Sequence, residues 1–356
     1  MSNHTQRVVR VAEPNTQSAS DLFIDPEYPI PSFSNNNNIP QALIKVYYTA
    51  LNRADIMQRN GKYPPPPGSS PILGLEVSGY IEKFSTNSHE ENGFKVGDRV
   101  MALVEGGGYS EFCIAPITQL FHCPKELSLK EASAIPEAFL TAFQCFFKIG
   151  KLFQRKGDLN VLIHAGASGV GLALIQLCKL SGLCSNICVT CGSNDKGEYC
   201  KTFGATHYVN YKEHAKWSER LSELLTEKTE VVPLIDYILD PIGGNHYLEQ
   251  DVQVARLDAV IIGIASMGGA SATIDLSQML RKRLSIQYST LRNRSPQYKA
   301  ELFTEFQDYI KDAFVTKKLI PNIDRVFKME DVSKAHEYME QNKNNGKIIL
   351  EIRHEE

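Results

Sequence analysis

The stretch LNVLIHAGASGVGLALIQLCKLSG, residues 159 to 182, leaves few folds open to this chain. A buried-type strand runs straight into a glycine turn, and the helix that follows stops at Gly182. The pattern then repeats: NICVTCG reads as a strand, KGEYCKTFG as a helix, HYVNY as a short strand, and LIDYILD and AVIIGIA as two more. Strands separated by helices predict a doubly wound parallel sheet with helices on both faces, an α/β architecture.

The turn GASGVG predicts a ligand. Strand, glycine turn and helix N-terminus together present backbone N–H groups and the positive end of a helix dipole to a phosphate. Ser168, Gly169, Val170 and Gly171 are the candidate contacts. Ser168 stands where a strict G-x-G-x-x-G motif has its second glycine, so a tight turn without a ligand is the competing reading. About twenty residues on, an NAD-binding unit carries an acidic residue at the end of its second strand to hold the ribose hydroxyls. This chain has VTCGSNDK instead. Gly192 and Ser193 leave room and supply donors, and Lys196 supplies positive charge for a 2′-phosphate, which points to NADPH. Asp195 argues the other way, although it falls beyond the strand end. Tyr211 could cover the adenine or reach the same phosphate; on spacing alone it could equally be a surface tyrosine. Gly263 and Ile264, in AVIIGIA, belong to the carboxyl end of a late strand, where open α/β sheets bind ligands.

The first third reads differently. ALIKVYYTAL alternates, ILGLEVSGYIEKF reads as a kinked strand, and RVMAL and YSEFCIA follow, with KYPPPPGSSP and the Asn35–Asn38 run as loops. The tail, DRVFKMEDVSKAHEYMEQNKNNGKIILEI, ends in a helix and a strand and resembles the first third. A mostly β domain over 1–138 and 306–356, with the nucleotide domain over 139–305, is the expected division. Glu76, a lone carboxylate in an apolar run, is costly unless paired or hydrogen-bonded.

Composition excludes little beyond this. With 38 basic and 41 acidic residues among 356, net charge −3, no overall field favours nucleic acid or acidic membrane. No stretch has the length of apolar sequence a bilayer demands. Arg281, Lys282 and Arg283 form a basic cluster that reads as a solvated face. The N-terminus lacks the apolar core of a secretory signal, which predicts a cytosolic protein with its eight cysteines reduced. Cys188 and Cys191 form a CxxC, but positions three apart on a strand face opposite sides of the sheet and cannot grip one metal.

These segments, taken in order, resemble the medium-chain dehydrogenase/reductase superfamily. The carriers are ALNRADIMQRNGKYPPPPG, ILGLEVSGYIE, FKVGDRVMAL, GGGYSEF, SAIPEAFLTAFQ, LIHAGASGVG, YILDPIGG and AHEYMEQNKNNGKIILEI. The resemblance implies a GroES-like catalytic domain beside a Rossmann domain. In the zinc alcohol dehydrogenases of that group, a metal-binding cysteine and a histidine occupy the positions that are Asn52 and Leu75 here. Neither can hold Zn²⁺. The chain therefore resembles the zinc-free quinone oxidoreductases, the zeta-crystallin branch, and within it the tumour-suppressor-inducible quinone oxidoreductases. The first forty residues match poorly.

The resemblance implies that Asn52 and Tyr63 border the nicotinamide pocket and hydrogen-bond an acceptor oxygen. Read without it, Asn52 is a turn former and Tyr63 a loop anchor. Thr141 looks like the residue whose hydroxyl approaches the nicotinamide, against a plainer reading as a helix cap. By the same resemblance, Gly263, Ile264 and Leu291 line the nicotinamide half of the cofactor site, and Lys347 reaches the cofactor or else is an exposed strand-end lysine. The implied activity is NADPH-dependent reduction of quinones by hydride or one-electron transfer. Reduction of enones or enals at an activated C=C bond competes with it, and an NADPH-binding sensor or RNA- or protein-binding module is a third reading. The resemblance also implies a homodimer through edge-to-edge pairing of the nucleotide-domain sheets, with RLSIQYSTL as the candidate edge strand.

Overall fold

The computed structural model describes residues 5–12, 15–33, 39–86, 93–226 and 234–355. The Asn35–Asn38 run lies outside them. Two compact units form: Met1–Leu140 with Arg292–Glu356, and Thr141–Leu291.

The first unit opens with β1 (Thr5–Val11) and β2 (Leu22–Pro29), an antiparallel pair. It continues with β3 (Gln41–Ala50), α1 (Arg53–Arg59), β4 (Glu76–Phe84), β5 (Arg99–Leu103), β6 (Phe112–Pro116), β7 (Leu120–His122), α2 (Leu129–Ala132) and α3, which spans Pro136–Phe143. Residues 72–75, expected to continue the strand of β4, do not join it. Gly74 has φ +97°, and a Cβ there would lie 2.6 Å from the Cα of Gly108. The segment is instead stitched to its neighbour by Gly107 N–H to the Ile72 carbonyl (2.8 Å), Tyr109 N–H to Leu73 (2.9 Å) and Val104 N–H to Leu75 (2.8 Å). Only glycine adopts this left-handed turn at so close an approach without strain. The run delivers Glu76 to the first position of β4.

The second unit comprises β8 (Leu159–Ile163), α4 (Gly169–Ser181), β9 (Cys184–Cys191), α5 (Asn194–Phe203), β10 (His207–Asn210), α6 (Trp217–Thr226), β11 (Ile235–Asp240), α7 (Tyr247–Val254), β12 (Ala255–Gly263), α8 (Leu276–Lys282) and β13 (Ser285–Tyr288). Its strands are all parallel, in the order β10-β9-β8-β11-β12-β13. Every residue of β8 and β11 is buried, as expected of central strands covered on both faces. The order reverses between β8 and β11, and ligands of such sheets bind at the carboxyl ends of the strands at that point. β13 is an edge strand. The basic cluster at the end of α8 is tied down locally: Arg283 pairs with Asp258, and Lys282 Nζ donates to the Val252 and Gln253 carbonyls (2.7 and 2.8 Å).

The chain completes the first unit with α9 (Pro296–Ile310), β14 (Ile323–Lys328), α10 (Val332–Glu340) and β15 (Lys347–Glu351). A return at 306 was expected. Residues 292–305 already group with the first unit, for identifiable reasons. Arg292 Nε donates to the Glu105 carbonyl (2.7 Å), buried Lys299 reaches Glu105 Oε1 (2.5 Å) and the Arg292 carbonyl (2.7 Å), and Phe303 stacks on Phe121 with ring centroids 4.3 Å apart. β15 pairs antiparallel with β3 and parallel with β14. That pairing brings the far end of the chain beside Ala50, Leu51 and Asn52. Among the described residues, no helix is long and apolar enough to cross a membrane.

Candidate active site

In the first unit the site grows from the end of β3, the start of β4 and the start of β15. Asn52 follows β3 in extended conformation and opens α1. Glu76 is fully buried. Its Oε1 lies 2.6 Å from Lys347 Nζ and accepts from Asn52 Nδ2 at 2.9 Å, while Oε2 accepts the Glu137 N–H at 2.9 Å. The basic partner that sequence could not name is Lys347. Its ammonium also donates to the Leu51 carbonyl (2.9 Å) and to Asn52 Oδ1 (2.7 Å). Three acceptors meet the three ammonium protons, so Lys347 has no hydrogen left for a further ligand. The residue is therefore not an exposed strand end, and its charge is held by Glu76. Asn52 is engaged on both sides as well. Its remaining amide hydrogen points toward the Ala50 carbonyl at a long 3.3 Å, which leaves one weakly held donor.

Tyr63 stands before Pro64–Pro67, under the guanidinium of Arg292, whose carbon is 5.5 Å from the ring centroid. Arg292 is 3% exposed, and its Nη1 also donates to the Tyr63 carbonyl (3.4 Å). Glu137, at the start of α3, has its carboxyl pushed up to about 7 by burial first and by the charge of Glu76 second. Asp55 is pushed up to about 6 by burial, against the opposing pull of the N–H groups of Asn52 and Gly74 that it accepts. Thr141 lies inside α3 and is 8% exposed, so it does not cap that helix.

The second unit carries the candidate phosphate cradle. Ser168 caps α4, its hydroxyl accepting the Gly171 N–H (3.0 Å), so the residue that departs from the three-glycine motif serves the helix start. The flanking glycines are required by close approach: a Cβ on Gly171 would lie 2.5 Å from the Gly166 carbonyl oxygen, and one on Gly166 would lie 2.6 Å from Val189 Cβ. Gly169 and Val170 form the first turn of α4, with their amides at the positive end of its dipole. At the end of β9, no carboxylate follows Cys191. Gly192 comes next, then Ser193, which caps α5 and accepts the Lys196 N–H (3.3 Å). Asp195 lies on the exposed first turn of α5. The Tyr211 hydroxyl reaches over Gly192, 2.8 Å from where a Cβ would stand, with Lys212 Cε at 3.5 Å. Gly192, Ser193, Lys196 and Tyr211 are therefore neighbours. Gly263 ends β12 under the Tyr288 ring, Ile264 N–H donates to the Asp240 carbonyl (3.1 Å), and Leu291 is buried at the end of the unit.

Sequence reasoning missed a buried polar group beneath the cradle. His164, the residue after β8, lies 2.7 Å from Asp251 Oδ1 through Nε2 and 2.8 Å from Thr190 Oγ1 through Nδ1. Burial alone would lower the imidazole, but the Asp251 charge and hydrogen bond outweigh it and raise it. Trp217 packs edge-on to the ring at 4.7 Å. Lys212 was overlooked although it adjoins Tyr211. Asp55 was overlooked too, and there the signal was present: an acid three residues after a helix-opening Asn is placed to accept the N-cap amide.

The parallel sheet of order 3-2-1-4-5-6, its phosphate cradle and a GroES-like partner unit define an oxidoreductase fold that binds a nicotinamide dinucleotide. Two family profiles match in chain order: an alcohol dehydrogenase GroES-like domain over residues 38–125 and a zinc-binding dehydrogenase over 169–308. The chain belongs to the medium-chain dehydrogenase/reductase superfamily. It is similar to a synaptic vesicle membrane protein VAT-1 homolog of Danio rerio, at 29% identity over 87% of this chain and 64% of that protein's length. It is also similar to the quinone oxidoreductase-like protein 2 of Bos taurus, at 26% identity over 87% of this chain and 84% of the other. A mycobacterial protein solved in complex with NADPH shares the fold, with TM-score 0.81 and 21% identity, covering 98% of this chain and all of that one.

Proposed function

We propose that this chain is a zinc-independent, NADPH-dependent quinone reductase. The observation that carries the reading is the Asn52–Lys347–Glu76 cluster. At the positions where zinc-bearing relatives hold their metal beside a glutamate, Asn52 and the buried aliphatic Leu75 offer no ligand pair. The cation next to Glu76 is an ammonium, 2.6 Å from its carboxylate. Such a site cannot polarise an alcohol or a simple carbonyl as a Lewis acid does, so the acceptor must take a hydride readily, and a quinone does.

NADPH, when bound, supplies that hydride. The chain's own residues bind and orient. The free amides of the first turn, Gly169 and Val170, would meet the pyrophosphate that Gly171 leaves room for, and Lys196 would meet the 2′-phosphate within the pocket shared with Gly192, Ser193 and Tyr211. The carboxylate-free end of β9 favours the phosphorylated cofactor. Thr141, Gly263, Ile264 and Leu291 flank the nicotinamide. The weakly held Asn52 amide hydrogen and the Tyr63 hydroxyl donate to the acceptor oxygen as negative charge develops there, and one preorganised donor is worth on the order of 3 kcal/mol with water excluded. The enzyme works in the cytosol as a homodimer joined along β13.

Steady-state assays with NADPH and parallel panels of quinones and enones test the reading. Higher kcat/KM on a quinone is expected. Higher efficiency on an enone would reassign the site to C=C reduction, and tight NADPH binding without turnover on either panel would reject an enzyme.

A further inference from the structure

Behind Asn52, the first unit holds a chain of buried polar side chains that the proposed reaction leaves unused. Asp55 Oδ2 accepts the Asn52 N–H at 2.7 Å, and Oδ1 accepts the Gly74 N–H at 2.9 Å. One carboxylate therefore ties the residue that opens α1 to the loop that delivers Glu76. The Tyr109 hydroxyl lies 3.2 Å from Asp55 Oδ2 and 3.2 Å from His336 Nε2. His336 Nδ1 faces Arg59 Nη1 at 3.3 Å, and Arg59 Nη2 continues to the Gln17 carbonyl (3.2 Å) and to Glu340. Asp55, Tyr109 and His336 are fully buried, and Arg59 is 1% exposed.

The direction of this chain is set by chemistry. A guanidinium donates and never accepts, so His336 Nδ1 must be the unprotonated nitrogen. Nε2 then carries the proton and donates to Tyr109, which leaves the tyrosine hydroxyl proton nowhere to go but Asp55. Burial, helped by the Arg59 charge, holds the imidazole down to about 3, so it stays neutral. Asp55 sits at the receiving end of three donors, the arrangement that favours the ionised form.

We propose that Arg59, His336 and Tyr109 are positioning residues of the reduction site: their one-way hydrogen-bond chain keeps Asp55 ionised, and ionised Asp55 fixes Asn52 against Glu76. The proposal rests on the reading of Asn52 as the group that meets the acceptor oxygen. When Asp55 takes up a proton, one of its oxygens becomes a donor facing N–H and O–H donors, and the link between α1 and the Gly74 loop loosens. The other charged groups around this end of the chain are Lys347 of β15 and Arg292 before α9, which favour ionisation of Asp55, Glu137 of α3, which opposes it, and Glu76 of β4, whose charge acts on Tyr109. None of these four belongs to the chain, so the same charged surroundings are present in every variant.

The test is the pH profile of kcat/KM for quinone reduction between about pH 5 and 8, for the wild type, Tyr109→Phe, His336→Leu and His336→Gln. Glutamine can accept from Arg59 and donate to Tyr109, so it retains the chain. The acid limb is expected to move up by about one pH unit in Tyr109→Phe, a tenfold loss at a fixed pH below it, and by less in His336→Leu, where Tyr109 still donates to Asp55 but is no longer held in place. The KM for NADPH should stay unchanged, and His336→Gln should follow the wild type. An acid limb at the same pH in all four proteins, with the wild type active, overturns the proposal. A wild type that reduces no acceptor instead defeats the proposed function, and the chain is then read from melting temperatures. A gap between wild type and Tyr109→Phe that widens from pH 5 to 7 supports it, and a constant gap overturns it.

Discussion

Lys347→Met removes the ammonium from a carboxylate that has no water to turn to. Glu76 is fully buried and the Lys347 side chain is 5% exposed, so the pair is not discounted for screening by solvent. Breaking a buried ion pair by deleting one partner costs about 3–5 kcal/mol, because the other charge stays buried and uncompensated. The lower end applies here, since Glu76 keeps two donors, Asn52 Nδ2 and the Glu137 N–H. For a unit of roughly two hundred residues each kcal/mol shifts Tm by about 3 °C, which makes the expected loss about 10 °C. Glu76→Gln should cost a comparable amount: whichever way the amide is turned, its NH₂ faces either Lys347 and Asn52 or the Glu137 N–H, donor against donor. The double variant Glu76→Gln/Lys347→Met leaves no orphan charge and should melt above the sum of the two losses. Circular dichroism melts of the four proteins, with kcat measured alongside, carry the comparison. Turnover should fall only a few-fold in Glu76→Gln, through looser placement of Asn52. A Glu76→Gln protein that melts with the wild type yet has no activity would refute the reasoning, since Glu76 would then be acting in the chemistry.

Further outcomes follow from the other clusters. Lys196→Ala should raise the KM for NADPH about tenfold and leave that for NADH nearly unchanged; equal effects on both cofactors would remove the 2′-phosphate assignment. Gly171→Val should abolish NADPH binding, read as loss of cofactor quenching at buried Trp217, because its Cβ would lie 2.5 Å from the Gly166 carbonyl oxygen; unaltered quenching would show that the cradle is not the binding turn. Glu137 has its folded-state carboxyl raised to about 7 from an ordinary carboxylate value. Its stabilising contribution is therefore complete below about pH 4 and lost as pH rises through 7, so Glu137→Gln should flatten Tm against pH across that window, and parallel curves would contradict the burial argument. Leu276 and Leu280 on α8, 73% and 80% exposed, lie just before edge strand β13; Leu280→Glu should shift a dimer toward monomer in sedimentation, and a monomeric wild type would dismiss the dimer.

The second unit was legible because its physics is local. A buried parallel strand, a turn crowded enough to demand glycine, and a helix capped by Ser168 all lie within a dozen residues, and each leaves its own mark on the sequence. The first unit hides its chemistry in sequence separation. Glu76 was recognisable as a residue in need of a partner, because an unpaired carboxylate does not persist among Leu73, Leu75 and Val77. The partner's identity was not recognisable, since Lys347 reaches it only through the pairing of β15 with β3. Periodicity records which face of a strand is buried, not which strand lies beside it. The boundary near 292 was hidden for the same reason: Arg292 and Lys299 look like ordinary surface cations until Glu105, nearly two hundred residues earlier, is placed against them. The Asn52 side chain shows the limit most clearly. Its residue type was enough to exclude a zinc ligand, but only the structure shows that Lys347 and Glu76 already engage most of its amide. Whatever Asn52 contributes to an acceptor comes from one long hydrogen bond, and its effectiveness depends on how firmly Asp55 holds the backbone behind it.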